Sequence, residues 1–146
     1  MKIIVKILML ITFTFCFSCE EQGFSVKCSD CTAEEPLGTD LEVKLDIQHN
    51  GYQTIINVYE GNLEDSVIYS SFRASGTKTT VHVNLNKKYT VTTTYYIPDD
   101  YYTVIDSATP RVKYEKSQCD EPCYFVYDKV IDLRLKYTNW TQPQWK

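Results

Sequence analysis

The run Leu41-Glu42-Val43-Lys44-Leu45-Asp46-Ile47-Gln48-His49-Asn50-Gly51-Tyr52 decides how the rest of the chain is read. Apolar side chains stand at every second position, and charged or polar ones fill the gaps. A period of two marks a strand with one face on a core and the other in water. Asn50-Gly51 is the preferred pair for a two-residue hairpin turn, because both central positions need positive φ. The expected partner is the next apolar run, with His49 opposite Tyr52, Ile47 opposite Thr54, Leu45 opposite Ile56 and Val43 opposite Val58. In that register the apolar face runs unbroken across both strands.

Further short strands follow. They are expected at 67–72, at 79–85 with Val81, Val83 and Leu85 on one face and His82 on the other, and at 89–97. Others are expected at 101–105, 112–116, 124–127 and 130–137, the last with Ile131, Leu133, Leu135 and Tyr137 on one face. Between them lie turns such as Asn86-Lys87-Lys88 and Pro98-Asp99-Asp100. After the N-terminal apolar stretch no window of helical length keeps a 3.6-residue period. Seven to nine short strands with turns between them specify an all-β, antiparallel β-sandwich or barrel over residues 40–138.

The N-terminus is of another kind. Lys2 and Lys6 precede an apolar stretch from Ile7 to Phe17, too short to span a bilayer, and Ser18 stands just before Cys19. This resembles a bacterial lipoprotein signal, which implies cleavage after residue 18 and lipidation of Cys19; Cys16, preceded by the bulky Phe15, fits that role poorly. Cys19-Glu20-Glu21 narrows the likeness to the Bacteroidetes-type surface lipoproteins. Asp65-Ser66-Val67 and Asp106-Ser107-Ala108 are similar to the O-glycosylation triplet of that group. The resemblance implies an envelope location, outer membrane and surface-exposed, with no activity attached. Asn139-Trp140-Thr141 matches a eukaryotic glycosylation acceptor, which carries no meaning in a bacterial chain.

Loss of Lys2 and Lys6 leaves 13 of the 15 basic residues against 19 acidic ones, a net charge of −6. That balance argues against nucleic acid and against an anionic lipid surface as partners. Membrane attachment is expected through the lipid alone, and several buried acyl chains hold far more firmly than one. Residues 19–39 read as a polar tether that ends in Pro36-Leu37-Gly38, and residues 139–146 as an aromatic tail carrying Trp140 and Trp145.

Of six cysteines, four remain for the folded domain: Cys28, Cys31, Cys119 and Cys123. In an exported chain they read as two disulfides, with three connectivities open. Crossed pairing is preferred, because the weakly apolar residues 20–40 would otherwise have no reason to dock. Each crossed bond closes a loop of roughly 90 residues and stabilises by about 4 kcal/mol. The rival is a four-thiolate zinc site. The oxidising location and the lack of a glycine-bearing knuckle argue against it, so no metal or cofactor is expected.

A second resemblance concerns the fold type. Val83-Asn84-Leu85-Asn86-Lys87-Lys88-Tyr89-Thr90-Val91 resembles the E–F corner of fibronectin type III and immunoglobulin-like domains. It implies that the hydroxyl of Tyr89 bonds to backbone upstream. Leu85 replaces the usual proline, and the intersheet cysteines and tryptophan of antibody domains are absent. A transthyretin-like sandwich is the alternative.

For chemistry the sequence is spare. Two histidines, His49 and His82, sit away from any nucleophile motif, and no glycine-rich phosphate loop occurs. The best binding candidate is Tyr95-Tyr96-Ile97-Pro98-Asp99-Asp100-Tyr101-Tyr102. Aromatic faces cover the apolar side of a sugar ring, and carboxylates accept its hydroxyl hydrogen bonds. Strand alternation turns Tyr95 inward with Tyr89 and Val91, which leaves Tyr96, Tyr101 and Tyr102 with Asp99 and Asp100 as candidate contacts. The same segment is also ordinary turn chemistry, and two adjacent acids are too few ligands for calcium. The expected function is a non-catalytic binding or accessory module for a glycan or a surface protein. A structural subunit of a surface assembly is the second reading, and a small hydrolase the third.

Overall fold

A computed structural model of the chain describes residues 26–46, 53–97 and 100–135. The described part is an all-β sandwich whose strands pair antiparallel except for the first with the last. The strands are β1 (Gly38–Lys44), β2 (Thr54–Glu60), β3 (Ile68–Ala74), β4 (Lys78–Asn84), β5 (Tyr89–Ile97), β6 (Asp100–Ala108), β7 (Arg111–Glu115), β8 (Cys123–Tyr127) and β9 (Val130–Asp132). One sheet has the order β4-β1-β9 and the other β3-β2-β5-β6, while β7 and β8 form a separate two-stranded ribbon.

The alternation in β1 is as expected, but its pairing is not. Leu41, Val43 and Leu45 are buried, yet Val43 lies opposite Thr79 of β4 and Ile131 of β9. Val58 lies opposite Ser70 of β3 and Val91 of β5. The Val43–Val58 and Leu45–Ile56 hairpin pairs are therefore wrong: β1 and β2 belong to different sheets. The physical reason is that both runs bury their apolar faces in one core from opposite sides. Leu41, Val43, Leu45, Ile56 and Val58 all sit in the same buried cluster with Val83, Tyr89, Val91, Ile131 and Leu133. The pairs Ile47–Thr54 and His49–Tyr52 lie outside the described residues.

β9 runs parallel to β1, from Glu42↔Val130 to Lys44↔Asp132. The expected long last strand is shorter, although a bond from the Leu133 N–H to the Lys44 carbonyl at 2.9 Å continues the pairing. Ile131 and Leu133 are fully buried, as the alternation requires, while Tyr137 lies outside the described residues. β6 extends further than 101–105, because it follows β5 along its whole length from Ile97↔Asp100 to Tyr89↔Ala108.

β5 carries a buried tyrosine toward each end. Tyr89 is fully buried, and its hydroxyl accepts a hydrogen bond from the Asn84 N–H at 3.1 Å. Tyr95 is 2% exposed; its hydroxyl donates to the Leu133 carbonyl at 2.9 Å and accepts from the Asp46 N–H at 3.1 Å. Each therefore ties the four-stranded sheet to backbone of the three-stranded one. Without these partners the buried hydroxyls would cost about 1–3 kcal/mol apiece.

The ribbon is held differently. Thr109 N–H donates to Asp128 at 2.7 Å, and Asn86 N–H to the Pro110 carbonyl at 2.7 Å, which fixes its base beneath the Tyr89 end of the sandwich. Near its tip, Thr32 and Tyr124 exchange two backbone hydrogen bonds of 2.9 and 2.8 Å. Disulfides join Cys28 to Cys119 and Cys31 to Cys123, with Cα–Cα separations of 5.6 and 5.5 Å. The crossed pairing holds, but the estimate of equal contributions does not. Both bonds join the same two segments, so once one is closed the other closes only the small ring of 28–31 and 119–123. In the loop-entropy model the first is worth about 4–5 kcal/mol and the second about 3.

Candidate functional site

The candidate site is the tip of the β5–β6 hairpin. The register pairs Tyr96 with Tyr101 and Tyr95 with Tyr102, so the four tyrosines divide between two faces. Tyr96 and Tyr101 lie on the outer face of the four-stranded sheet and are 63% and 70% exposed. Their rings meet edge to face, centroids 5.8 Å apart at 81°. This contact is favourable for aromatic quadrupoles and sets one ring nearly upright against the other. Tyr102 shares the inward side with Tyr95 but is 43% exposed. Tyr95 is a core residue, as its alternation demands.

Asp100 opens β6, and its Oδ1 accepts the Tyr101 N–H at 2.8 Å. That bond is local turn chemistry and leaves the side chain exposed beside the tyrosines. Asp99 lies outside the described residues. Below the tip, Thr94 and Thr103 join hydroxyls across the strands at 3.0 Å, so the outer face carries polar groups directly beneath the aromatic pair.

The tip lies at one end of β5 and the base of the stapled ribbon at the other. β5 starts at Tyr89, beside the ribbon base, and runs 9 residues to the tip. At about 3.3 Å per residue that is roughly 30 Å of separation.

Two other features were candidates. An open depression of about 350 Å³ on the outer face is lined by residues that include Glu64, Lys88, Thr90, Asp106 and Ser107. Lys88 Nζ donates to Asn62 at 2.7 Å, and the Asp106 carboxylate accepts the N–H groups of Ser107 at 2.9 Å and Asp132 at 2.8 Å. These charged groups hold the loop and the β6–β9 junction in place. His82 stands outward, with Nδ1 3.1 Å from Asp40 Oδ1. Ser66 and Ser107, the serines of the two glycosylation-like triplets, are both exposed. Cys19, His49, Trp140 and Trp145 lie outside the described residues. Among the described residues no helix is long and apolar enough to cross a membrane.

Sequence reasoning missed two structural polar groups. The first is the bridging role of Tyr95, whose hydroxyl is pushed up to about 12 chiefly by burial. Burial likewise raises Tyr89. The second is Glu115, whose Oε1 accepts the N–H groups of Lys116, Ser117 and Gln118 and the Ser117 hydroxyl at 2.8–3.3 Å. Those bonds, led by that from the Ser117 N–H, hold its carboxyl below the usual carboxylate range. The sign in the sequence was Glu115-Lys116-Ser117, an acid placed just before a polar turn.

Comparison of the chain with protein-family models, with curated proteins and with solved structures finds no match.

Proposed function

We propose that this chain is a non-catalytic, lipid-anchored binding module of the cell envelope, displayed at the outer-membrane surface, that offers the β5–β6 tip to a glycan or to a surface protein. The observation that carries this reading is the placement of the β5–β6 tip and the base of the ribbon at opposite ends of β5. The N-terminal segment is stapled to the ribbon, and Val26 N–H bonds to Gln118 at 3.1 Å. Val26 stands seven positions after Cys19, so a lipid on Cys19 would lie within about 25 Å of Val26, which is bonded to the ribbon at Gln118. The exposed tyrosines would then point away from the bilayer, where a ligand arrives.

Tyr96 and Tyr101 supply aromatic surface, and Asp100 supplies a carboxylate beside it. A sugar ring needs both. The test is affinity-gel and glycan-array binding of the mature chain beside the Tyr96→Ala, Tyr101→Ala double variant. Loss of at least tenfold in binding with an unchanged melting temperature is expected. Binding that survives the double change would refute the tip as the contact.

We read the sandwich as immunoglobulin-like. The order β3-β2-β5-β6 facing β4-β1, with a buried tyrosine at the start of β5 bonded back to Asn84, supports this. The parallel β9 departs from it. A second reading, an assembly subunit, draws support from β3, an edge strand that exposes Ile68 beside Val67. Concentration-dependent polymers in light scattering would favour it over the monomeric binder.

A further inference from the structure

The four cysteines form a tighter cluster than two separate disulfides need. The sulfurs of Cys31, Cys119 and Cys123 lie within 4.8 Å of one another, and the fourth, of Cys28, is bonded to that of Cys119. Cys31 and Cys119 are not bonded, yet their sulfurs are 4.0 Å apart. In a tetrahedral zinc site with Zn–S bonds of about 2.3 Å, neighbouring sulfurs stand about 3.8 Å apart. The spacing across the two disulfides is therefore already that of a tetrathiolate edge, and only the bonded pairs would have to separate.

Hydrogen bonds as well as the S–S bonds position the backbone around the cluster. Cys31 precedes Thr32 and Cys123 precedes Tyr124, the two residues joined by a reciprocal pair of backbone hydrogen bonds. Cys28 opens a tight turn closed by the Cys31 N–H on the Cys28 carbonyl. Cys119 follows the loop 115–118 that Glu115 holds through four hydrogen bonds. Val26 N–H on Gln118 pins the two segments together beside Cys28. Reduction would thus release four thiols on segments that these hydrogen bonds also join.

We propose that Cys28, Cys31, Cys119 and Cys123, when both disulfides have been reduced by a dithiol, bind one Zn²⁺ ion as a tetrathiolate. Each S–S bond takes two electrons and two protons from a dithiol, which closes to its own disulfide. The four thiols then release their protons as four Zn–S bonds form. The two states exclude each other, so the thiol poise of the surroundings selects between a disulfide-stapled and a metal-stapled ribbon. Because the same residues join the same segments in both, the N-terminal segment stays docked in either.

The test uses the mature chain, reduced with a phosphine under nitrogen and titrated with Co²⁺ as a spectroscopic stand-in, then with Zn²⁺. One equivalent of Co²⁺ should give thiolate charge-transfer and tetrahedral d–d bands, and Zn²⁺ should abolish them. Cys28→Ser and Cys119→Ser should each weaken Co²⁺ binding at least tenfold, and the oxidised chain should bind none. Should reduction unfold the ribbon, Zn²⁺ must restore its amide protection in hydrogen exchange. A reduced chain that neither binds Co²⁺ nor regains protection with Zn²⁺ overturns the proposal. Equal binding by the variant with all four cysteines changed to serine overturns it too.

Discussion

In the sandwich, Leu41, Val43, Ile56, Val58, Val83, Tyr89, Val91, Ile131 and Leu133 are all fully buried. In the two strands of the ribbon, only Glu115, Cys123 and Phe125 fall below a tenth exposed. Full burial of one large aliphatic side chain is worth about 1.5–3 kcal/mol, so the sandwich coheres through its core. The ribbon has no such core; two disulfides, a carboxylate loop and two backbone bonds hold it. One chain thus contains a part stabilised by water exclusion and a part stabilised by cross-links. The two should respond to different insults.

The largest expected effect separates them by covalent chemistry. Changing Cys31 and Cys123 to serine, or Cys28 and Cys119, should lower the free energy of unfolding by about 3 kcal/mol, and changing all four by about 7. Urea denaturation of the three variants measures this. Two pair effects that sum to the value for all four would show that the staples act independently and would break the shared-ring argument.

The next effect belongs to the sandwich. Tyr95→Phe leaves the Asp46 N–H and the Leu133 carbonyl without their shared partner and should cost about 2 kcal/mol. It should also change the alkaline limb. Burial raises the Tyr95 hydroxyl from 10.0 to about 12, so the folded chain holds this proton more tightly than the unfolded one. Its contribution is complete below about pH 10 and is lost as pH rises toward 12. Stability measured across that range should fall less steeply in Tyr95→Phe than in the native chain; equal slopes would contradict the assignment.

The smallest effect is confined to the ribbon. The Glu115 carboxyl titrates below its ordinary 4.5 because backbone N–H groups solvate the anion. Its stabilisation is present above that value and is lost as pH falls through the lowered one. Amide exchange at Ser117 and Gln118 should accelerate in that acid window while amides of β5 stay protected. Glu115→Gln should show the faster exchange already at neutral pH. Uniform loss of protection across both regions would mean that they do not respond separately.

The same contrast explains what could be read from the letters alone. Alternation located the strands, since Leu41-Glu42-Val43-Lys44 and Val81-His82-Val83 state which side meets the core. It could not locate the partners. Leu45 and Ile56 satisfy a continuous face whether they sit side by side in one sheet or oppose each other across the core, and Asn50-Gly51 is a local signal with no view of the fold. The cysteines were legible by number and by the docking they make necessary. The tip was legible as a tyrosine cluster, but only register could divide Tyr96 and Tyr101 from Tyr95 and Tyr102. The hydrogen bonds by which the Tyr95 hydroxyl accepts from the Asp46 N–H and donates to the Leu133 carbonyl link residues far apart in the chain, and no short-range pattern encodes them.

The parallel alignment of Val130–Asp132 with β1 has a kinetic consequence. β1 is the middle strand of its sheet, and one of its two neighbours, β9, is synthesised after every other described strand. A nascent polypeptide lacking those residues has an open flank where Ile131 and Leu133 belong, and such long-range pairing is slow to form. Closure of this sheet therefore waits on β9, and β1 stays open on one flank until that strand has been made.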